Sequence, residues 1–155
     1  MKAPPLLVVA FCALLGSQVR AEPVVNRVGA GAFPISSIVV VRGVGGTDIA
    51  YVSGIPGTAA AGDTKAQTVG ALTRMDEVLK GQGFSLGDIV MMRVYLVGDP
   101  ATGKMDFAGM MAGYTQFFGT PTQPNKPART TVQVSGLAAP GALVEIEAQA
   151  VHPHP

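Results

Sequence analysis

One arginine and two glutamates near the end of the chain are the residues best suited to chemistry. Arg129 opens an alternating segment, and Glu145 and Glu147 stand in a second one. A guanidinium is a fixed fork of donors that matches a carboxylate, so Arg129 is suited to binding a small acid. A positioned glutamate can hold water and transfer protons. On spacing alone, an arginine that solvates a strand end and glutamates on an ordinary polar face are the alternative interpretation.

Both segments have the period of β-strands with one buried face. Residues 129–134 alternate Arg, Thr and Gln with Thr and Val, and residues 144–150 alternate Val, Ile and Ala with Glu and Gln. The linker 135–141 consists mainly of turn residues. A hairpin or a return to the sheet is therefore expected. In either arrangement the arginine and the glutamates can face one pocket from neighbouring strands.

The rest of the chain predicts one domain behind a secretory signal. Of the 155 residues, 48% are hydrophobic and 14% are charged, which fits a single domain with a real core. Lys2 precedes the apolar run 6–15, and Val19 and Ala21 supply small residues for cleavage. We expect a signal peptide over 1–21, a single domain over 22–155, and export to the periplasm or the extracellular space. A membrane anchor is the less favoured alternative, because a span needs about 20 apolar residues.

Cysteine usage and charge narrow the possible functions. The only cysteine, Cys12, lies in the signal, so the mature chain is expected to fold without disulfides. Without Lys2 and Arg20, nine of the eleven basic residues remain against ten acidic ones. These cations form no basic stripe, and the sequence therefore predicts no nucleic-acid partner.

The middle of the chain alternates strand and helix patterns. The strands predicted before the first helix cover 23–28, 38–42 and 49–53. A helix begins at Asp63 or Thr64 and ends at Gly81, and a central strand covers 88–97. The strongest helical periodicity follows, through Phe107, Met110, Met111, Tyr114, Phe117 and Phe118. The order is β-β-β-α-β-α-β-β, which predicts an α+β domain with two helices on one face of a mixed sheet.

These motifs together resemble the RidA/YjgF family of enamine/imine deaminases. Pro127-Ala128-Arg129, the apolar alternation that follows and Val144-Glu145-Ile146-Glu147 are similar to its signature. The resemblance extends over nearly all of the expected mature chain, through Ser53-Gly54, Gln67-Thr68, Gly87-Asp88-Ile89-Val90, Tyr114 and Phe117-Phe118. It implies a chorismate-mutase-like fold and a homotrimer with sites in the clefts between subunits. It also implies chemistry without a metal or another cofactor.

The resemblance further implies hydrolysis of reactive enamine or imine intermediates, the 2-imino acids, to 2-oxo acids and ammonia. Arg129 would grip the carboxylate and Glu145 would position the attacking water. Ser53, Gly54, Thr131 and Tyr114 would complete the substrate-binding site. Two alternatives stay open, namely a trimer of the same fold that binds a small carboxylate without turnover and a secreted chaperone-like trimer.

Several pocket positions depart from the family pattern. Ile35 stands where many members carry tyrosine, Met111 where asparagine is expected, and Thr131 where cysteine is expected. The stretch 53–56 reads Ser-Gly-Ile-Pro and lacks the glutamine of the family's Ser-Gly-Gln-Ile-Pro. The arginine and the glutamate are kept, while the rest of the predicted pocket is altered or more apolar.

Other candidate motifs are weaker. The glycines of 43–46 open no helix, and Gly103-Lys104-Met105 lacks the hydroxyl residue of a phosphate loop. The methionines have the spacing of core residues rather than of copper ligands. His152 and His154 are interpreted as part of a frayed terminus rather than as metal ligands.

Overall fold

The computed structural model describes residues 22–29, 31–99 and 101–154, and the expected signal segment 1–21 lies outside them. The elements are β1 (Val24–Gly29), β2 (Ser36–Val44), β3 (Thr47–Pro56), α1 (Thr64–Lys80), β4 (Ile89–Val97), α2 (Phe107–Tyr114), β5 (Ala128–Val134) and β6 (Val144–Pro153). This confirms the predicted order of strands and helices. None of the helices in the described part of the chain is long and apolar enough to cross a membrane.

The six strands form one mixed sheet in the order β1-β2-β3-β6-β4-β5. Every pair is antiparallel except β4 and β5, which are parallel. A parallel pair needs a crossover, and α2 lies on the connection between these two strands. Strand β6 returns between β3 and β4, so the last two strands are separated by β4. Of the two expected connections, the hairpin is therefore wrong and the return to the sheet is confirmed.

A tight turn joins β2 to β3, where the run Gly-Gly-Thr-Asp over 45–48 predicts a hairpin turn. Gly45 and Gly46 have φ angles of 60° and 84°, in the left-handed region. A two-residue turn with positive φ at both positions matches the twist of an antiparallel hairpin. Glycine occupies both positions because it reaches this region without the strain that a Cβ introduces.

Both helices begin at an aspartate cap. The Asp63 carboxylate accepts a hydrogen bond from the Ala66 N–H at 2.8 Å, which fixes the start of α1. Asp106 accepts one from the Gly109 N–H at 2.8 Å at the start of α2. Since a capping aspartate is worth about 1 kcal/mol, these two residues help to decide where the helices start.

Helix α2 ends at Tyr114, before the end that its periodicity predicts. The next turn tightens, because the Phe117 N–H donates to the Tyr114 carbonyl at 3.0 Å. Phe118 is nevertheless buried, and its ring stacks on Tyr114 with centroids 4.7 Å apart. The periodicity therefore identified the buried Met110, Tyr114 and Phe118 correctly, but it overestimated the length of the helix and included Phe107, which is exposed.

Both helices cover the same face of the sheet. The sheet residues buried beneath them are Ile38, Val40, Ala50, Val52, Met92, Val94, Ile146, Ala148 and Ala150. On α1 the buried residues include Leu72, Met75 and Leu79, and each fully buried side chain of this size contributes about 1.5–3 kcal/mol. We call the opposite side of the sheet the open face. It carries Tyr51, Arg93, Tyr95, Val132, Glu145 and Glu147.

The C-terminal histidines are bound into the fold, so the prediction of a frayed terminus is wrong. His152 lies in β6, with Nδ1 3.1 Å from an Asp88 oxygen. His154 has Nδ1 2.7 Å from Asp48, and its N–H donates to the Gly46 carbonyl at 2.9 Å. The aspartates are distant in sequence, which is why a local reading of the tail does not find them.

Buried Asp48 is expected to make the fold sensitive to acid. Its side chain is 2% exposed. Burial alone raises its pKa, but hydrogen bonds from Gly43, Arg42 and His154 outweigh burial and lower the pKa below the ordinary value. The stability that the ionised group contributes is present above the unfolded pKa of about 3.9 and is lost as pH falls through the lower folded value.

We therefore expect the free energy of unfolding to fall as pH drops below about 4. Asp48→Asn should be less stable at pH 7 by about 3–5 kcal/mol, since it breaks a buried pair, and its stability should fall less steeply with acid. Urea unfolding across the acid range checks both expectations. Equal slopes for the two proteins would contradict this role of Asp48.

Candidate active site

Arg129 lies on β5 with its side chain turned toward α2. In the register it stands opposite Met92, which is buried beneath the helices. Its Nη1 is 3.8 Å from the Met110 sulfur, and its Nη2 is 3.2 Å from the Met111 sulfur. The guanidinium carbon lies 4.3 Å from the centroid of the Tyr114 ring. The arginine is thus held over one aromatic ring and beside two thioethers.

The fork of Arg129 has no strong acceptor. In the part of the chain that the structure describes, its hydrogen-bond acceptors are the two methionine sulfurs and no carboxylate or carbonyl. A thioether is a weak acceptor. Burial raises the pKa of Tyr114, while the nearby Arg129 charge lowers it in part, so this residue is a neutral phenol at ordinary pH. The arrangement leaves a guanidinium oriented and ready for an anion.

Thr131 shares the face of Arg129. It stands opposite buried Val94, and its hydroxyl oxygen is fully buried with no hydrogen-bond partner among the described residues. Leaving such a group unpaired costs about 1–3 kcal/mol. A buried hydroxyl in this condition fits a site whose polar partner comes from a bound molecule or from a second subunit.

Glu145 lies on the open face, at the start of β6. It stands opposite Pro56 on one side and Tyr95 on the other. Its carboxylate lies so close to Gly54 that a Cβ at that position would overlap the oxygen. Within residues 22–29, 31–99 and 101–154, no hydrogen bond or ion pair engages this carboxylate, whereas both kinds engage that of Glu147. The glutamate can therefore hold a water molecule.

Ser53 and Gly54 form a bulge beside this carboxylate. The register of β3 against β6 shifts between Val52 and Ile55, which leaves these two residues outside the regular ladder. The Ser53 hydroxyl donates to the Ser36 carbonyl at 2.6 Å. Its proton is therefore used to hold the bulge, and its oxygen is the atom left to accept a hydrogen bond. The structure thus brings together three of the predicted site residues, namely Ser53, Gly54 and Glu145.

Replacing Gly54 by alanine is expected to displace the Glu145 carboxylate without unfolding the domain. The added Cβ would overlap an oxygen at the end of a flexible side chain, so Glu145 must move. A displacement of about 1 Å at a reacting group can reduce turnover roughly 100-fold. Turnover and thermal unfolding measured on Gly54→Ala check this expectation. Unchanged turnover would show that the position of Glu145 over Gly54 is not needed.

Glu147, the second glutamate of the strand, has a structural role. Its carboxylate pairs with Arg93 at 2.8 Å and accepts from the Tyr95 hydroxyl at 3.3 Å. Burial, and then the charge of Glu147, raise the pKa of Tyr95. This agrees with the interpretation of Glu147 as an ordinary residue of the polar face. It also separates two glutamates that the sequence pattern alone cannot distinguish.

Arg129 and Glu145 point to opposite faces of the sheet. Through β4, Arg129 aligns with Met92 and Glu145 aligns with Tyr95. These positions are an odd number of residues apart, and successive side chains of a strand alternate between faces. One protomer therefore presents an arginine cluster (Arg129, Thr131, Met110, Met111 and Tyr114) and a separate glutamate cluster (Glu145, Gly54, Ser53 and Tyr95). The expected shared pocket is not formed within one protomer.

Sequence reasoning missed part of each cluster. Met110 and Phe107 appear in the helical periodicity, but that pattern predicts only core packing, not contact with Arg129. Tyr95 lies in a nearly apolar strand, and only the register places it beside Glu145. No group of three or more His, Cys, Asp or Glu residues that could hold a metal ion occurs in the described ranges.

Comparison with known proteins identifies the family. A family model described as endoribonuclease L-PSP matches residues 34–152. The chain belongs to this family. It is the RidA/YjgF family, so the resemblance read from the motifs is confirmed. The match covers every residue of the arginine cluster and of the glutamate cluster, including Arg129 and Glu145.

Relatives of this RidA/YjgF chain agree in sequence and in fold. A RutC family protein from Pyrococcus horikoshii is 39% identical over 87 residues, which is 56% of this chain and 61% of the relative. One from Pyrococcus abyssi is 38% identical over the same shares. The chain thus matches about three fifths of the length of these relatives.

Two solved structures show the same fold as this family member. A YjgF-family protein from Mycobacterium tuberculosis has a TM-score of 0.64 and 29% identity, covering 82% of this chain and 98% of that one. A YjgF-family protein from Neisseria meningitidis has a TM-score of 0.62 and 25% identity, covering 84% and 97%. The mixed six-stranded sheet with two helices is therefore the fold of the family, as predicted.

Proposed function

We propose that the protein hydrolyses 2-imino acids to 2-oxo acids and ammonia. One observation carries the proposal: among the residues that the structure describes, the half-buried Arg129 and Glu145 have no ionic partner, whereas two other arginines of the sheet do. Arg93 pairs with Glu147, and Arg42 pairs with Asp48. A charge left without a partner at a half-buried position is costly unless a ligand uses it. Membership of the RidA/YjgF family supports the same chemistry.

Arg129 and Glu145 divide the reaction between them. The guanidinium takes the substrate carboxylate through two parallel hydrogen bonds and fixes the imine carbon. Glu145 holds a water molecule and accepts its proton as the water oxygen bonds to that carbon. The imine nitrogen receives this proton, which gives the neutral carbinolamine. Glu145 then passes the proton of the new hydroxyl group to the same nitrogen, the C–N bond breaks, and a C=O bond forms. The products are the 2-oxo acid and ammonia, and the balance needs no other reactant.

A complete site requires a second copy of the chain. Because the two side chains lie on opposite faces, one protomer contributes the arginine cluster and its neighbour the glutamate cluster. A closed ring of identical subunits gives every site one of each. The open face also exposes apolar surface, with Tyr51 at 45% and Val132 at 40% exposure. These features support the homotrimer that the family resemblance implies.

Light scattering on the chain from residue 22 onward should therefore give about three times the monomer mass. The mass should not change on dilution through the working range of the assay. A monomer at every concentration would remove the cleft between subunits, and with it the proposed site.

Charge favours a small acid over RNA as substrate, although the family description names an endoribonuclease. Binding of RNA needs a stripe of available cations. In the described ranges, Arg42, Lys80 and Arg93 are each paired with a carboxylate of the same chain. Three of the nine basic residues that the structure describes are thus compensated locally, and the other six are spread over β1, α1, β5 and two loops, which supports the choice of a carboxylate ligand held by one arginine.

The deciding experiment is ammonia release from freshly generated 2-iminopropanoate or 2-iminobutanoate. We expect the protein to accelerate release, and incubation with RNA to give no cleavage. If a 2-oxo acid binds but release is not accelerated, the protein is a carboxylate-binding trimer. If neither acid nor imine binds while the trimer prevents aggregation of other proteins, the chaperone-like alternative holds.

A further inference from the structure

The surroundings of the Arg129 fork are apolar on the side of α2. A guanidinium can take a carboxylate through Nη1 and Nη2 or through Nε and Nη2, so Nη2 belongs to both pairs. The Met111 sulfur lies 3.2 Å from that shared atom. Whichever pair binds the substrate carboxylate, the side chain of Met111 flanks it.

Aromatic rings extend this apolar wall. The Phe107 ring centroid is 5.9 Å from the guanidinium carbon, and the ring is 44% exposed, so it has surface to offer a ligand. Tyr114 lies 4.3 Å from the same carbon. Asp106 precedes Phe107 in the sequence, and its carboxylate caps α2 by accepting a hydrogen bond from the Gly109 N–H. Among the residues that the structure describes in the arginine cluster, the hydroxyls of Tyr114 and Thr131 are the polar groups besides the guanidinium, whereas Met111 and Phe107 offer no strong hydrogen-bonding group to the rest of the substrate.

We propose that Met111 selects substrates whose side chain is apolar, such as the 2-imino acids related to leucine, methionine and phenylalanine. The inference rests on the proposed function and adds the substrate class. A polar side chain would lose its water against Met111 and Phe107 without gaining a hydrogen bond. An apolar one gains roughly fourfold in affinity for each methylene it buries. The flexible thioether can adjust to branched, linear and aromatic groups.

The position of Met111 makes it the specificity-determining residue. Asparagine is expected there by family resemblance, and its amide would offer a donor and an acceptor to a polar substrate. Methionine has no hydrogen-bond donor, and its thioether is only a weak acceptor. Its methyl and sulfur instead extend the apolar surface formed by Phe107.

The test uses two ligands of equal size, 2-oxobutanoate and 3-hydroxy-2-oxopropanoate, which differ by a methyl against a hydroxyl group. Calorimetric titration of the trimer should show roughly tenfold tighter binding of 2-oxobutanoate, and tighter binding still of 4-methyl-2-oxopentanoate. Met111→Leu should keep this preference, because it preserves the apolar wall. Met111→Asn, and Met111→Gln as a second variant of the same length, should bring the ratio close to one.

Ammonia release from the matching 2-imino acids, measured in parallel, separates the two proposals. If the titrations show the preference and no imine is hydrolysed faster, the deaminase proposal fails and the selectivity stands. If imines are hydrolysed but polar and apolar substrates have equal kcat/KM, the selectivity of Met111 is overturned and the deaminase stands. A preference that is unchanged in both folded polar variants also overturns it, as does an absence of binding by every 2-oxo acid.

Discussion

Replacing Glu145 by glutamine is expected to lower turnover of 2-imino acids by about 10²- to 10⁴-fold, the usual contribution of a general acid–base group. The amide has nearly the same volume, so it can lie across Gly54 as the carboxylate does. It is a far poorer base and cannot take a proton from water. Binding of a 2-oxo acid should be nearly unchanged. Ammonia release and calorimetric titration measure the two effects separately.

Glu147→Gln is the matched control for this substitution. It lies on the same strand and the same face, but its carboxylate pairs with Arg93. Both partners are partly exposed, so the loss should cost no more than about 1 kcal/mol of stability and leave turnover nearly intact. Equal losses of turnover in the two variants would show that general polarity of the face matters rather than a water held by Glu145.

Replacing Arg129 by lysine is expected to weaken binding of 2-oxo acids tenfold or more. Lysine keeps the positive charge, but its ammonium group is a compact charge and lacks the planar fork of donors that a guanidinium presents to a carboxylate. Loss of a charge-assisted hydrogen bond costs roughly 1.5–3 kcal/mol. The contact of the planar guanidinium with the Tyr114 ring is lost as well. Titration with 2-oxobutanoate measures the change.

Arg93→Lys provides the control for Arg129→Lys. Arg93 is on the neighbouring strand β4, faces the open side and pairs with Glu147. Its replacement should leave the affinity for 2-oxo acids almost unchanged. If Arg129→Lys retains both binding and deamination, the role carried over from the family is wrong at its central residue.

Mixing the two variants tests whether each site is shared between subunits. Trimers re-formed from equal amounts of Arg129→Lys and Glu145→Gln should regain activity, because some sites combine an intact arginine from one subunit with an intact glutamate from another. With random assembly this applies to about one site in four. If both residues acted within one protomer, no site in the mixture would be intact and no activity would return.

The sequence predicts the elements of this fold because each has a strong local pattern. Residues 144–150 alternate perfectly between apolar and polar, and Gly45 and Gly46 mark a two-residue turn. The position of β6 between β3 and β4, in contrast, is not predicted by a local pattern. It depends on pairing between distant strands, which leaves no local trace in the sequence. The end of α2 at Tyr114 was missed because buried aromatic residues continue the helical period into the following turn.

The candidate site could be predicted as residue types but not as geometry. Arg129 and Glu145 were singled out by residue type and by the family resemblance, since spacing alone left an ordinary strand end and polar face as the alternative. Their placement on opposite faces follows only from the register through Met92 and Tyr95 of β4. The contact of Met111 with Arg129 is likewise not predicted by the helical period, which indicates only core packing, although the sequence marks this position as a departure from the asparagine of the family.

The fixed C-terminal tail has a practical consequence for labelling and immobilisation. Strand β6 starts near Glu145 and ends beside the turn of the β2–β3 hairpin, where the His154 N–H donates to Gly46. At about 3.3 Å per residue, the two ends of this ten-residue strand are roughly 30 Å apart. A dye, an affinity tag or a surface linker attached beyond His154 is therefore far from the glutamate cluster of the same protomer. Such an attachment should extend the chain rather than replace His152 and His154, because both histidines hold the tail to buried or half-buried aspartates.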